Sequence, residues 1–223
     1  MKLLLVLLFI SFYYSFGQKQ FVNFHPYVTS QCSDTQYGVG FSVVTNECLN
    51  DLDYFYTGYQ YYSYFTRTQV NSNNQLLVFV TQYGQRNCSG PEVKTLYYIS
   101  DTCDSSPIMD QNKFSPYSYV TVTNKPSFSN NSIVNAVYSN DQDSSSADNN
   151  DSPAVCNSGN LLFATTMTDG FKAIFPNGAY EFFNCVKGQP FLYSCLNNKC
   201  KNVPMALECS SSQNELTNES CFC

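Results

Sequence analysis

The reactive chemistry of this chain is concentrated in its thiols. Eleven cysteines (Cys32, Cys48, Cys88, Cys103, Cys156, Cys185, Cys195, Cys200, Cys209, Cys221 and Cys223) accompany a single histidine and two arginines, Arg67 and Arg86. Thiols at this density either hold a metal or cross-link in pairs. Zinc sites of the finger type need repeated C-x2-C knuckles; the nearest spacings here, Cys195-x4-Cys200 and Cys221-x-Cys223, do not repeat. Disulfides are therefore expected, and no metal or cofactor. Each bridge contributes about 2–4 kcal/mol by restricting the unfolded chain. Four cysteines precede residue 139 and seven follow residue 153. Three connectivities are open to the first four, and the most local joins Cys32 to Cys48 and Cys88 to Cys103. The remaining seven need a bridge to the first group, a free thiol, or a partner outside the chain, which would give a disulfide-linked oligomer. Cys221 and Cys223 are too close in sequence to bond each other comfortably.

Catalytic machinery built on a histidine would have to pass through His25. It stands in Phe24-His25-Pro26-Tyr27, and the adjoining proline marks it as a structural turn residue at a strand end. The sequence has no G-x-S-x-G elbow, P-loop or H-E-x-x-H. A glycosidase needs two carboxylates, and nothing among the seventeen acids singles out a pair; Asp51 and Asp53 read as solvated turn positions. No catalytic residue is expected. Asp141 and Asp143 open like a calcium loop, but the glycine at its sixth position and the glutamate at its twelfth are missing.

Tyrosine is the other residue type that could do work. The run Asp53-Tyr-Phe-Tyr-Thr-Gly-Tyr-Gln-Tyr-Tyr-Ser-Tyr-Phe65 is unusually aromatic. By strand parity Tyr54, Tyr56, Tyr62 and Tyr64 fall on one face, and Phe55, Tyr59, Tyr61 and Phe65 on the other. One face would enter a core, and the second would offer rigid, amphipathic rings to a protein or a glycan. The candidate binding surface is thus Tyr54, Tyr56, Tyr59, Tyr61, Tyr62 and Tyr64. Half-buried strands take tyrosine in any case, so a run covered on both sides is the competing reading.

The elements that would position these residues are strands. Residues 1–17 read as a cleavable signal peptide: Lys2, an apolar run over 3–10, and small residues at Ser15 and Gly17. The run is well short of the roughly 20 residues that span a bilayer, so no stable membrane anchor is expected. Cleavage after Gly17 leaves 206 of the 223 residues, with ten basic against seventeen acidic side chains. Such a balance excludes a nucleic-acid binder, which needs a basic face. Short β-branched and aromatic runs cover 21–24, 40–44, 54–70, 76–83, 93–99, 117–123 and 132–138. Asn71-Ser72-Asn73-Asn74 reads as a hairpin turn, and seven such strands predict a sandwich- or barrel-like domain over 18–138. Residues 139–153, rich in Asp, Ser and Asn, read as an acidic linker. Over 154–223 a cysteine-rich β-meander is expected, its first three strands (161–168, 171–175, 179–185) turning at Asp169-Gly170 and Asn177-Gly178. The tail after residue 195 should be held by its cysteines. The fold class is all-β and disulfide-stapled. Four sequons, at Asn87, Asn130, Asn150 and Asn218, are candidates for N-glycosylation.

The signal ending in Gly17-Gln18, the run Phe21-Val-Asn-Phe-His-Pro-Tyr27, Cys32, the Gly38-Val39-Gly40 turn and Cys48 carry a family resemblance. With the Asn/Ser-rich body and the late cysteines, the chain resembles the small secreted cysteine-rich proteins of dictyostelid social amoebae. Among these it is most similar to the counting-factor-associated group. The resemblance implies an extracellular role in development or cell-group signalling, with no enzymatic activity and no catalytic residues to transfer. The reading from sequence is a secreted, disulfide-rich glycoprotein that binds an extracellular protein or glycan, as a signalling factor or adhesion-type module. A coat component cross-linked through a spare cysteine is the alternative, and a secreted hydrolase ranks third.

Overall fold

A computed structural model describes residues 19–50, 62–109, 114–139, 156, 158–175, 177–205, 210–212 and 215–222, the last two stretches as backbone alone. The strands in chain order are β1 (Phe21–Tyr27), β2 (Val39–Val44), β3 (Cys48–Asn50), β4 (Ser63–Val70), β5 (Leu76–Tyr83), β6 (Glu92–Ile99), β7 (Thr102–Ser105) and β8 (Tyr117–Thr123). They continue with β9 (Ser132–Ser139), β10 (Leu161–Thr168), β11 (Lys172–Ile174), β12 (Tyr180–Val186), β13 (Gln189–Leu196), β14 (Lys199–Pro204), β15 (Ser210–Ser212) and β16 (Glu215–Phe222). The predicted signal peptide and calcium-like loop, Asn150, Cys209 and Cys223 lie outside the described residues, as does all of the 139–153 linker but Ser139 and, in the aromatic run, Tyr54, Tyr56, Tyr59 and Tyr61.

The protein is all-β, with antiparallel pairing throughout the described sheets. Eight strands form one sheet in the order β15-β16-β9-β10-β2-β1-β8-β7, and two four-stranded sheets, β3-β4-β5-β6 and β11-β12-β13-β14, pack with it. Strand β2 is buried at all six positions, as a strand covered on both faces must be. One face of the large sheet, with Val22, Phe24, Val43, Phe163 and Met167, meets the inward residues Tyr64, Val78, Val80 and Tyr98 of β4–β6. The Phe24 and Tyr98 rings touch edge to face at 5.1 Å. Burial, with the Asp104 carboxylate adding to it, holds the Tyr98 phenol well above its ordinary pKa, while the N–H of Ile108, which donates to it, works the other way.

The opposite face sets a polar cluster among the buried Phe21, Val44 and Ala164. Asn23 is its hub: Nδ2 donates to Thr121 (3.3 Å) and Thr123 (2.8 Å), while Oδ1 accepts from Ser42 Oγ (2.7 Å) and the Ser127 N–H (2.9 Å). Every polar atom of this buried amide is thereby satisfied, as burial demands. His25 does not sit in a turn. Strand β1 runs through it and Pro26 to Tyr27, pairing with β8 to the end. Pairing with β2 stops at Phe24, so the proline, which has no N–H to donate, leaves no ladder bond broken on that side. Gly38-Val39-Gly40 is likewise less a turn than a strand start. A Cβ on Gly40 would approach Thr166 Oγ1 to 2.6 Å and the Phe24 carbonyl to 2.7 Å, so two neighbouring strands require the glycine.

The stretches 18–138 and 154–223 both contribute strands to the large sheet. Strand β10 inserts between β9 and β2, so residues from both sides of 139–153 build one sheet. The expected Asp169-Gly170 hairpin is corrected. Gly170 takes φ 73° and the Phe171 N–H bonds Thr168 O at 3.0 Å, but the turn carries the chain out of the large sheet and into β11. The meander is instead four strands, β11 to β14, whose last two turns are tight. Lys187-Gly188 (φ 54° and 82°) and Asn197-Asn198 (φ 50° and 61°) both have the left-handed pairs that two-residue hairpins need. The tail is held by more than cysteines: β16 pairs with β9 from Glu215 to Phe222. The Asn71–Asn74 hairpin forms as expected, with Asn74 at φ 60° and Asn71 Oδ1 accepting from the N–H groups of Asn73 and Gln75.

The first four cysteines do close on themselves, but not locally. Cys32 bonds Cys103 across 71 residues, and Cys48 bonds Cys88 across 40. Sheet membership explains the nesting. Cys32 follows β1 and Cys103 lies on β7 of the large sheet, whereas Cys48 lies on β3 and Cys88 follows β5 in the four-stranded sheet. Cys195 bonds Cys200 directly across β13 and β14, with Cα atoms 4.1 Å apart. Cys156 and Cys185 are disulfide-bonded as well.

Candidate binding face

The tyrosines proposed from sequence do not make a surface where they are described. Tyr64 is 1% exposed and faces the core, where its hydroxyl accepts from Gln82 Nε2 at 3.3 Å. Tyr62 is half-buried against the same core. Parity is the reason: Tyr64 shares its face of β4 with Thr66, and both point at the large sheet.

The other face of β4–β6 is the one that looks outward. Three strands bring residues into transverse rows there: Arg67, Phe79 and Tyr97 in one, Phe65, Thr81 and Thr95 in the next, Gln69, Leu77 and Ile99 beyond. The Arg67 guanidinium carbon lies 4.4 Å above the Phe79 ring, a geometry that draws the cation to the ring's electron-rich face. Tyr97, beside Phe79 on the edge strand β6, is 68% exposed. Thr81 and Thr95 hydroxyls bond each other at 2.9 Å. The face is thus apolar and aromatic with one cation, framed at its β3 end by the Cys48–Cys88 bridge.

The sheet β11–β14 presents rings differently. Its inward side carries Phe183 and Leu192, and its outward side Tyr180, Phe182 and Tyr193. Phe182 and Tyr193, paired across β12 and β13, stack at 4.5 Å with planes 8° apart, and Tyr180 stacks on Phe182 at 6.3 Å. The Lys172 ammonium caps Tyr180 at 4.0 Å. At one end, the β11–β12 and β13–β14 turns enclose an open groove of about 780 Å³ lined by Phe175, Glu181, Leu196, Lys199 and Lys201. Ser194 Oγ donates to Glu181 at 3.0 Å in it.

His25 lies on β1 and is 9% exposed. Burial holds its imidazole below the ordinary pKa of 6.5, and Nε2 lies 3.5 Å from the Thr121 hydroxyl. Among the described residues, no three His, Cys, Asp or Glu side chains gather as metal ligands would. Asn87 and Asn130 are exposed in turns, whereas Asn218 falls in β16 opposite Ala136. Sequence reasoning missed Arg67, Phe79 and Tyr97. Their signal is period-2 spacing within the runs 63–70, 76–83 and 92–99.

Fold and face together define a disulfide-stapled, antiparallel all-β protein with an aromatic outer sheet face. The chain belongs to the family described as counting factor-associated protein A/B/C, whose model matches residues 1–223. No curated protein and no solved structure matches it.

Proposed function

We propose that the protein is exported, loses residues 1–17, and acts outside the cell as a binding factor in developmental or cell-group signalling. The outer face of β4–β6 is its contact surface, and the partner is an extracellular protein. The row Arg67–Phe79–Tyr97 carries this reading. Tyrosine and arginine dominate the energetics of protein interfaces, and an aromatic face of this kind is unusual on the solvent side of a sheet. Export is supported by the bonded cysteines, which persist in oxidising compartments, and the signalling role by the family's name. The reading is binding without catalysis, with His25 packed inside the large sheet on β1. The test is binding of tagged protein to cells: Tyr97→Ser and Arg67→Ser, both folded, should lose it. Retained binding by both variants sinks the assignment, and loss that glycan removal from the cells reproduces would make the ligand a glycan.

A second reading has one observation behind it. Eleven is an odd number of cysteines, so at least one cannot pair within the chain. A disulfide-linked dimer or coat component follows from that, and a non-reducing gel of the secreted protein showing only monomer removes it.

A further inference from the structure

We infer that N-glycosylation at Asn87 competes with closure of the Cys48–Cys88 disulfide, so that Asn87 carries a glycan on only part of the secreted molecules. The inference rests on the export proposed above. The sequon Asn87-Cys88-Ser89 contains at its centre a cysteine that bonds Cys48. In the folded protein Asn87 and Cys88 both adopt left-handed backbone, φ 59° and 49°. The turn is held on every side. Asn87 N–H donates to Asn50 Oδ1 at 2.8 Å, and Asn50 Nδ2 returns a bond to Asn87 Oδ1 at 3.2 Å. Cys88 N–H donates to Ser63 Oγ at 2.9 Å, and Ser89 Oγ, the hydroxyl through which a sequon is read, donates to Arg86 O at 2.6 Å.

Transfer requires Asn87 Nδ2 to attack the anomeric carbon of an oligosaccharide on a lipid diphosphate. A C–N bond forms, the sugar–oxygen bond breaks, the lipid diphosphate leaves, and Nδ2 gives up a proton. The acceptor segment must be pliable to enter such a site, and the closed turn is not. Closure in turn removes two protons and two electrons from Cys48 and Cys88, passed to a disulfide-bearing oxidant by thiol exchange. Synthesis at about 5–20 residues per second separates the two cysteines, 40 residues apart, by about 2–8 s. Disulfides form over seconds upward, so the two reactions overlap in time. A glycan already attached is tolerated, because Asn87 is exposed and its clasp with Asn50 uses Oδ1 and the backbone N–H rather than Nδ2. Asn130-Asn131-Ser132 has no cysteine and provides the control.

The experiment is peptide mass analysis of total chain, cell-associated and secreted, after glycan release in heavy water. Wild type should give a mixed population at Asn87. Cys48→Ser, and separately Cys88→Ser, which keeps the sequon as Asn-Ser-Ser, should shift it to a single glycan-bearing peptide with Asn130 unchanged. Asn130 glycosylated with Asn87 unaffected by both variants overturns the competition and leaves export standing. No glycan at any sequon overturns the competition alone, and absence of the chain from the medium overturns the export on which it rests.

Discussion

Two outward sheet faces of this molecule carry aromatic rings, and they are organised in opposite ways. On β11–β14 the rings of Tyr180, Phe182 and Tyr193 stack on one another and Lys172 closes the column. On β4–β6 Arg67 covers one ring, Phe79, and its neighbour Tyr97 projects into solvent. A stacked column directs its ring faces inward, towards stability. A row leaves ring area for a partner. The number of aromatic residues on a face therefore says little about binding until their mutual geometry is known.

The sharpest way to separate the faces is through the bridges beneath them. Replacing Cys48 and Cys88 by serine reopens a 40-residue separation and should cost about 4 kcal/mol, whereas Cys195 and Cys200, five residues apart, should cost about 2 kcal/mol. Urea unfolding under non-reducing conditions measures both. Equal losses would mean that loop closure is not what distinguishes the two sheets. Next in size, Tyr97→Ser should lower partner affinity about tenfold or more, while Tyr193→Ser leaves it within error. A titration in which the second substitution weakens binding as much as the first moves the contact surface to β11–β14. Smaller still is the stack itself: a double-mutant cycle on Phe182 and Tyr193 should return a coupling of about 0.5–1.5 kcal/mol. Additive single mutants would show the rings to be neighbours without interaction.

The smallest effect lies away from the β4–β6 face, at His25 on β1. Burial keeps its folded pKa below 6.5, so below that pH the unfolded chain takes up a proton that the folded chain refuses. Stability should fall as pH drops from about 6.5 and return on the alkaline side. In His25→Gln the slope of unfolding midpoint against pH between 6.5 and 5 should flatten; an unchanged slope assigns the acid sensitivity to carboxylates instead.

Local features were legible in the sequence because their causes are local. Asn71 to Asn74 announce a hairpin since asparagine accepts left-handed backbone, and they form one. The strands at 76–83, 117–123 and 161–168 match their runs residue for residue. The inferences that failed concern which distant element meets which. Asp169-Gly170 has the chemistry of a hairpin, yet its two strands join different sheets. Cys32 has Cys48 nearby in sequence and Cys103 nearby in space. The candidate face was misplaced for a related reason. Alternation puts Phe79 and Val78 on opposite sides of β5, but both are apolar, so the sequence cannot say which side meets the core. The short strands β3 and β7, of three and four residues, left no period to read.

The insertion of β10 between β2 and β9 governs how this chain can be made. Until residues 161–168 are available, β2 offers a full row of unpaired amides and carbonyls on one side, and β9 has no neighbour on that flank. Open edges of this kind recruit other chains, and a sheet completed by its late strands has the high contact order that slows folding. A chain cut off anywhere before β10 is thus not a smaller version of the protein but a sticky fragment with a vacant central slot, and stalled synthesis should yield aggregates rather than a stable amino-terminal half.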